Sequence, residues 1–356
     1  MEKELKLMKG NEALAEAAIR AGADGYFGYP ITPQSEILEY LMEANPAETT
    51  GMVVLQAESE LAAINMVYGG AACGKRVMTS SSSPGISLKQ EGITYIAGAE
   101  LPCLIVNVVR GGPGLGTIQP AQSDYFQATK GGGHGDYHLI VLAPASVQEM
   151  ADFVELSFEL AFKYRNPVMI LSDGAIGQMM EKVWLSPQKE RSKVVPEWAT
   201  VGKPPTRKHN IITSLELDPN VQEVFNEKLV KKYNTIRENE VRYEEFQCDD
   251  AEYLFVAYGT SARVCQKSVQ LARQQGIKVG LLRPITLFPF PYEKIGALAD
   301  RVKGVLSVEM SAGQMVEDVL LSVNGKVPVF HFGRMGGIVT TPEEVIEYLK
   351  LKFLKD

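Results

Sequence analysis

The residues equipped for chemistry fall in four short stretches. YPITP (29–33) holds Thr32 between two prolines. AESE (57–60) carries two carboxylates, Glu58 and Glu60. SSSPG (81–85) is a serine–glycine turn, and Arg110 opens the loop GGPGLGTIQPAQSDY. Together they offer a hydroxyl, a carboxylate for proton transfer, a polar turn and a guanidinium that can clamp a substrate. Each also has a bland reading. A threonine before proline caps a helix, a glutamate at a helix start complements the dipole, and an arginine after a strand can end in a surface ion pair. His134, in GGGHGDYH, is a further acid or donor candidate, but as a loop histidine with no evident partner it stands apart.

What joins the four is their position, each directly after a strand. GYFG precedes YPITP, MVVLQA (52–57) precedes ESE, RVMTS (76–80) precedes the serines and LPCLIVNVV (101–109) precedes Arg110. These uninterrupted apolar runs alternate with amphipathic helices such as NEALAEAAIRAG and ESELAAINMVYGGAACG. That alternation predicts a parallel sheet covered on both faces. Open α/β sheets bind ligands at the carboxyl ends of their strands, so the four stretches are expected to line one pocket. Pro30 and Pro33 fix φ and bias Tyr29 and Thr32 toward extended backbone. Apolar residues at 37, 38, 41 and 42 predict a helix over 36–44, with Thr32 as N-cap and Pro33 at the first helical position.

The alternation divides the chain. Residues 1–185 form one α/β domain. Residues 186–249, rich in charge and proline and including a polar helix, form a connector. Residues 250–356 resume as a smaller α/β domain. There GTSARV follows a strand, and its backbone N–H groups could meet an anion, with Thr260 or Ser261 as N-cap.

Of the 356 residues, 45% are hydrophobic and 22% charged, with a net charge of -7. That balance, with no basic cluster, argues against a nucleic-acid surface. MEKELKLMKG is too charged for a secretory signal, and no apolar run is long enough to span a bilayer. The expectation is a cytoplasmic protein that does not engage membranes. Cys73, Cys103, Cys248 and Cys265 form no CxxC pair, so reduced thiols are expected.

GNEALAEAAIRAGADGYFGYPITPQSEI, QAESELAAINMVYGGA, TSSSSPGISLKQEGITYIAGAELPCLIVNVVRGGPGLG, KGGGHGDYHLIVLAPASVQEM and YRNPVMILSDGAIGQMME resemble the α subunit of 2-oxoacid:ferredoxin oxidoreductases. The resemblance is near continuous over 9–185 and returns over 250–345. The branch it resembles most is the 2-oxoisovalerate (3-methyl-2-oxobutanoate) enzyme, with the 2-oxoglutarate enzyme as the alternative. It implies a pyrimidine-type thiamine-diphosphate domain followed by a transketolase C-terminal-like domain. The implied reaction converts a 2-oxoacid, coenzyme A and oxidised ferredoxin to acyl-CoA, carbon dioxide and reduced ferredoxin.

Residue by residue, the resemblance gives Glu60 the carboxylate that hydrogen-bonds the aminopyrimidine and promotes the tautomer that deprotonates the thiazolium. The family spacing of a glutamate nine positions before a glycine fits Glu60 and Gly69; nine positions after Glu58 stands Val67. Thr32 matches a threonine near the thiazolium and substrate. Arg110 matches the arginine that holds the substrate carboxylate, and Ser83 and Gly85 lie in the loop facing the cofactor ring.

Two family elements are missing. SDGAIG (172–177) is not the GDG motif that binds Mg²⁺ and diphosphate, nor is GHGD (133–136), and no cysteine run suits an iron–sulfur cluster. Thiamine diphosphate is therefore expected to be shared with a β subunit that binds Mg²⁺, and iron–sulfur clusters to sit on γ or iron–sulfur partners. A reading from another class is a binding or assembly module that kept the fold and lost its chemistry. The joint presence of Thr32, Glu60 and Arg110 argues against it.

Overall fold

The computed structural model describes residues 3–203 and 205–354. The first domain is built on a seven-stranded sheet. Its strands run in the order Thr286–Phe288, Ile140–Leu142, Val168–Asp173, Leu104–Val109, Val77–Ser81, Gly25–Gly28, Val53–Gln56. Every neighbouring pair is parallel except the first, where Thr286–Phe288 lies antiparallel to Ile140–Leu142. That edge strand comes from the second half of the chain, so the first sheet is completed by sequence far beyond its own domain.

Val77–Ser81, Leu104–Val109 and Val168–Asp173 are buried along their whole length. Helices on both faces cover them, which is why their sequences read as continuous apolar runs. From Gly25–Gly28 the chain crosses to Val53–Gln56 on one side; from Val77–Ser81 it crosses to Leu104–Val109 on the other. The topological switch point lies between Gly25–Gly28 and Val77–Ser81.

The second sheet has five strands, Val329–Gly333, Gly304–Glu309, Tyr253–Val256, Val279–Pro284 and Tyr243–Phe246, the last antiparallel. The polar helix of the connector, expected over LVKKYNTIRENEVRYEEFQCDD (229–250), lies earlier: it spans Pro219–Asn239, and RYEEFQ leaves the helix to form the strand Tyr243–Phe246. The helix ends near Glu240, whose buried carboxylate accepts from Lys163 Nζ (2.7 Å), Tyr164 Oη (2.6 Å) and Arg242 Nη1 (2.8 Å). These bonds pin the segment to the first domain. At the chain's start Glu4–Lys9 pairs antiparallel with Met180–Leu185 as a separate ribbon.

The two domains share one hydrophobic core through Tyr258, Leu282 and Phe288. Polar contacts fix their seam. Arg283 donates from Nη1 and Nη2 to Glu149 at 2.8 and 2.7 Å, a fork-to-carboxylate pair. GTSARV meets no external anion here but an internal carboxyl group. Thr260 donates through Oγ1 (2.8 Å) and N (3.3 Å) to the buried Asp173 of SDGAIG. The helix Gly259–Gln274 therefore starts one residue ahead of the predicted cap, with Tyr258 at the N-cap position. Gly259 has φ +53, and a Cβ there would sit 3.0 Å from Gln122 Nε2, so a side chain would be both strained and crowded.

Candidate active site

The corner after Gly25–Gly28 is held from four directions. Tyr26 donates to Ser80 Oγ (2.7 Å), which donates to Gln34 Oε1 (2.5 Å); Gln34 Nε2 then donates to the Tyr29 carbonyl (3.1 Å). The Pro33 carbonyl accepts from Asn11 Nδ2 (2.8 Å) and Gln178 Nε2 (3.2 Å). The Thr32 carbonyl accepts from Arg110 Nη1 (2.9 Å). Thr32 is not the N-cap predicted for it. The helix spans Ser35–Ala44 and Gln34 occupies the N-cap position, without a side-chain cap because its amide is spent on Ser80 and Tyr29. Thr32 is exposed on this chain, held by its backbone rather than by the helix.

Glu60 opens the helix Glu60–Ala72, with Ser59 as N-cap accepting from Ala62 N. The two candidate glutamates part here. Glu58 is exposed and accepts from Ser59 Oγ (2.8 Å). Glu60 is only 7% exposed and turns inward against the helix Ser83–Gly98. A Cβ on Gly85 would overlap Ser81 Oγ and lie 2.8 Å from Glu60 Oε1. The missing side chain at Gly85 is what lets the carboxylate and the serine turn approach.

Ser83 links the turn to Arg110. Arg110 N donates to Ser83 Oγ (3.1 Å), and that hydroxyl donates to the Arg110 carbonyl (3.2 Å). Ser83 N donates to Asn107 Oδ1 (3.2 Å), whose amide donates to Asp124 Oδ2 (2.9 Å). Burial pushes the Asp124 carboxyl up, against the hydrogen bonds from Asn107 and Ser83. Thr32, Arg110 and Ser83 are thus one hydrogen-bonded unit, and Gly85 and Glu60 adjoin it two residues along. All five sit on loops and helix starts around the switch point, where open α/β sheets bind ligands.

His134 is not among them. It lies on the loop before Ile140–Leu142, its backbone N bonded to Thr94 Oγ1 (3.3 Å). Thr94 is eleven residues along its helix from Ser83, roughly 16 Å at 1.5 Å per residue. Residues the sequence reading passed over lie behind the site. Asn107, Asp124 and Gln34 act through the bonds above. Lys89, fully buried one turn beyond Gly85, was hidden in an otherwise ordinary amphipathic helix. Its signal was there: Gly85, Lys89 and Gly92 at i, i+4 and i+7 share one helix face.

The site suits a polar cofactor on two observations. Ser81 Oγ, Ser82 Oγ and Arg110 Nε are buried with no hydrogen-bond partner among the described residues, a condition polar groups rarely keep. The inward carboxylate of Glu60 adjoins them. Among the described residues no group of three or more His, Cys, Asp or Glu could hold a metal ion. The four thiols are free; three are buried, and burial pushes Cys103 up to about 12. No helix among those residues is long and apolar enough to cross a membrane.

The fold places these groups at one switch point, and comparison with known families gives the class. The model for pyruvate flavodoxin/ferredoxin oxidoreductase, thiamine diP-binding, matches residues 16–245, and that for pyruvate:ferredoxin oxidoreductase core domain II matches 251–345. The chain belongs to this family of 2-oxoacid:ferredoxin oxidoreductases, with a thiamine-diphosphate pyrimidine-type domain and a transketolase C-terminal-like domain.

Within the family it is 53% identical over 345 residues to ketoisovalerate oxidoreductase subunit VorB of Methanothermobacter thermautotrophicus, covering 97% of each chain. It is 35% identical over 366 residues to 2-oxoglutarate synthase subunit KorA of Methanocaldococcus jannaschii, covering 96% of this chain and 98% of that one. Among solved structures, the 2-oxoglutarate:ferredoxin oxidoreductase from Magnetococcus marinus superposes with a TM-score of 0.85 at 28% identity. It covers 98% of this chain, which spans only 65% of that longer one. A split gene transketolase, with a TM-score of 0.61 at 14% identity and 98% of each chain covered, shares the fold.

Proposed function

We propose that this chain supplies the pyrimidine side of the active site in a coenzyme A-dependent 2-oxoisovalerate:ferredoxin oxidoreductase. The reaction takes 3-methyl-2-oxobutanoate, coenzyme A and oxidised ferredoxin to the branched acyl-CoA, carbon dioxide and reduced ferredoxin. The observation that carries it is the convergence of Glu60, Gly85, Ser83, Arg110 and Thr32 at one switch point. Thiamine diphosphate, when bound, supplies the nucleophilic carbon and the electron sink. The chain's own residues have the remaining work. Glu60 would hold or move a proton at the cofactor ring, its carboxylate admitted by the absence of a side chain at Gly85. Arg110 offers its fork to the substrate carboxylate while its Nη1 fixes the Thr32 carbonyl. That bond fixes the Thr32 backbone, so that its hydroxyl would be available to the bound cofactor and substrate.

The site is half of one. We assign the Mg²⁺–diphosphate domain to a β subunit, and the iron–sulfur clusters that pass electrons to ferredoxin to γ or iron–sulfur partners in the cytoplasm. The rim of the site supports this. Leu55, Leu61 and Leu88 are exposed around it, and Leu115 is 80% exposed at the tip of GGPGLG. On the helix that Glu60 opens, Gly69 is exposed, and a Cβ there would meet nothing within 4 Å. Its smallness serves no packing within this chain and fits the close approach of a second one.

The substrate assignment rests on the greater identity to the ketoisovalerate relative than to the 2-oxoglutarate one. The complex purified from its native host, assayed on a panel of 2-oxoacids, tests it. An aliphatic pocket rejects a second carboxylate strongly, since a buried unpaired charge is costly. It rejects loss of one methylene by only ~1–3 kcal/mol. The expected order of kcat/KM is 2-oxoisovalerate and its branched relatives first, smaller straight-chain acids well below them, and 2-oxoglutarate barely used. A kcat/KM favouring 2-oxoglutarate would move the chain to that branch of the family.

A further inference from the structure

The loop that begins at Arg110 is held from outside its own domain. Arg110 pairs with Pro120 as an isolated antiparallel bridge. Within that bridge Gly111 N donates to the Gln119 carbonyl (2.9 Å), and Thr117 N donates to the Gly111 carbonyl (2.8 Å). The loop is therefore a closed strap whose two ends meet at Arg110. The second domain grips it at two places. On the return limb the buried Gln122 donates from N to the Met310 carbonyl (2.9 Å) and from Nε2 to the Tyr258 carbonyl (2.8 Å); its Oε1 accepts from Met310 N (2.9 Å) and Ser261 Oγ (2.6 Å). At the second place backbone lies on backbone. The turn after Val329–Gly333, anchored by the ion pair of Arg334 with Glu344, rests on the strap itself. A Cβ on Gly111 would lie 3.0 Å from the Gly336 carbonyl carbon and 3.1 Å from Gly337 N. A Cβ on Gly337 would lie 2.3 Å from the Cβ of Gln119. Gly337 also has φ +99, a backbone setting that favours glycine.

We propose that the second domain sets the position of Arg110 through this glycine contact, with Gly337 as the positioning residue. The link runs through atoms in contact. A side chain at 337 has to displace Gln119, the Gln119 carbonyl holds Gly111 N, and Gly111 follows Arg110 in the chain. Gly111 is buried beneath Gly336 and Gly337, so the strap cannot yield in that direction. The second domain thus acts on substrate binding without lending a group that touches the substrate. A displacement of ~1 Å at a positioned group is enough to matter. The kinetic consequence rests on the proposed role of Arg110 as the carboxylate clamp; the positioning itself does not.

Two readouts keep these apart. In the full chain without cofactor or substrate, hydrogen exchange read by mass spectrometry follows the amides of Gly111 and Thr117, and peptides from the strand Val168–Asp173 check that the fold is kept. Gly337→Ala is expected to speed exchange in the strap by about tenfold, as local opening becomes easier. The same change is then made in a Gln119→Gly background, where the obstructing Cβ is gone. The strain of alanine at φ +99 is common to both backgrounds and cancels, so the remaining effect there is expected to be less than about twofold. In the assembled enzyme, Gly337→Ala is expected to raise KM about tenfold for every 2-oxoacid with kcat little changed, the pattern of lost ground-state binding, and Gln119→Gly is expected to remove most of that penalty. Equal effects of Gly337→Ala in the two backgrounds, or unchanged exchange in both, would overturn the proposal. Faster exchange that Gln119→Gly relieves, with KM unmoved, would uphold the positioning and remove Arg110 from the role of clamp.

Discussion

Glu60→Gln is expected to reduce turnover of the assembled enzyme by roughly 10²–10⁴-fold, the usual contribution of a positioned acid–base group, while leaving the complex intact. The substitution keeps the shape of the side chain and its place at the start of Glu60–Ala72, so packing against Gly85 is preserved. What it removes is the group that can hold or give up a proton. Glu58→Gln is the control. Glu58 is exposed, two residues away and bonded only to its neighbour Ser59, so its loss is expected to change kcat less than twofold, in line with a small surface effect. Stopped-flow ferredoxin reduction with both variants, alongside gel filtration of the complexes, measures the two quantities separately. The reverse order of effects would place the functional carboxylate at 58.

Arg110→Lys is expected to fail almost as badly as removal of the side chain, despite keeping the charge. Arg110 is 8% exposed and commits one arm of its fork to the fold. Nη1 fixes the Thr32 carbonyl at 2.9 Å, and Nε is buried with no hydrogen-bond partner among the described residues, which leaves it for a ligand on the proposed function. A lysine offers one point charge and cannot span both positions. Losing the Thr32 bond also lets the corner drift, and a misplacement of ~1 Å can cost about a hundredfold. A fall in kcat/KM of about 10²-fold or more is expected for every 2-oxoacid tested, because the carboxylate beside the reacting carbonyl is common to all. A fall confined to dicarboxylic substrates would show that Arg110 reads the far end of the substrate instead.

The four strand-end stretches were legible because local signals agreed. Apolar runs marked the strands, and their ends marked the site. What escaped the sequence was decided by side chains reaching across the fold. YPITPQS reads locally as a capped helix start, yet Gln34 reaches Ser80 forty-six positions away and the helix begins at Ser35. The hydroxyl of Thr260 looks like a cap until Asp173 claims it. The short run TLF joins the first sheet because the core continues across the seam, which no local pattern records. Lys89 escaped for a different reason. A single lysine on an amphipathic helix reads as solvated, and only the two small glycines flanking it on the same face show that this face is buried.

On the proposed function, this chain holds one half of a thiamine-diphosphate site and a second chain holds the other. Isothermal titration of thiamine diphosphate with Mg²⁺, into the isolated chain and into the assembled complex, tests it most directly. Glu60, Gly85 and Ser83 are the proposed contacts for the cofactor ring, and among the described residues no group of three or more His, Cys, Asp or Glu could hold a metal ion. Weak, Mg²⁺-insensitive binding is expected for the chain alone, and tight, Mg²⁺-dependent binding once the partner is present. Tight, Mg²⁺-dependent binding to the isolated chain would contradict it.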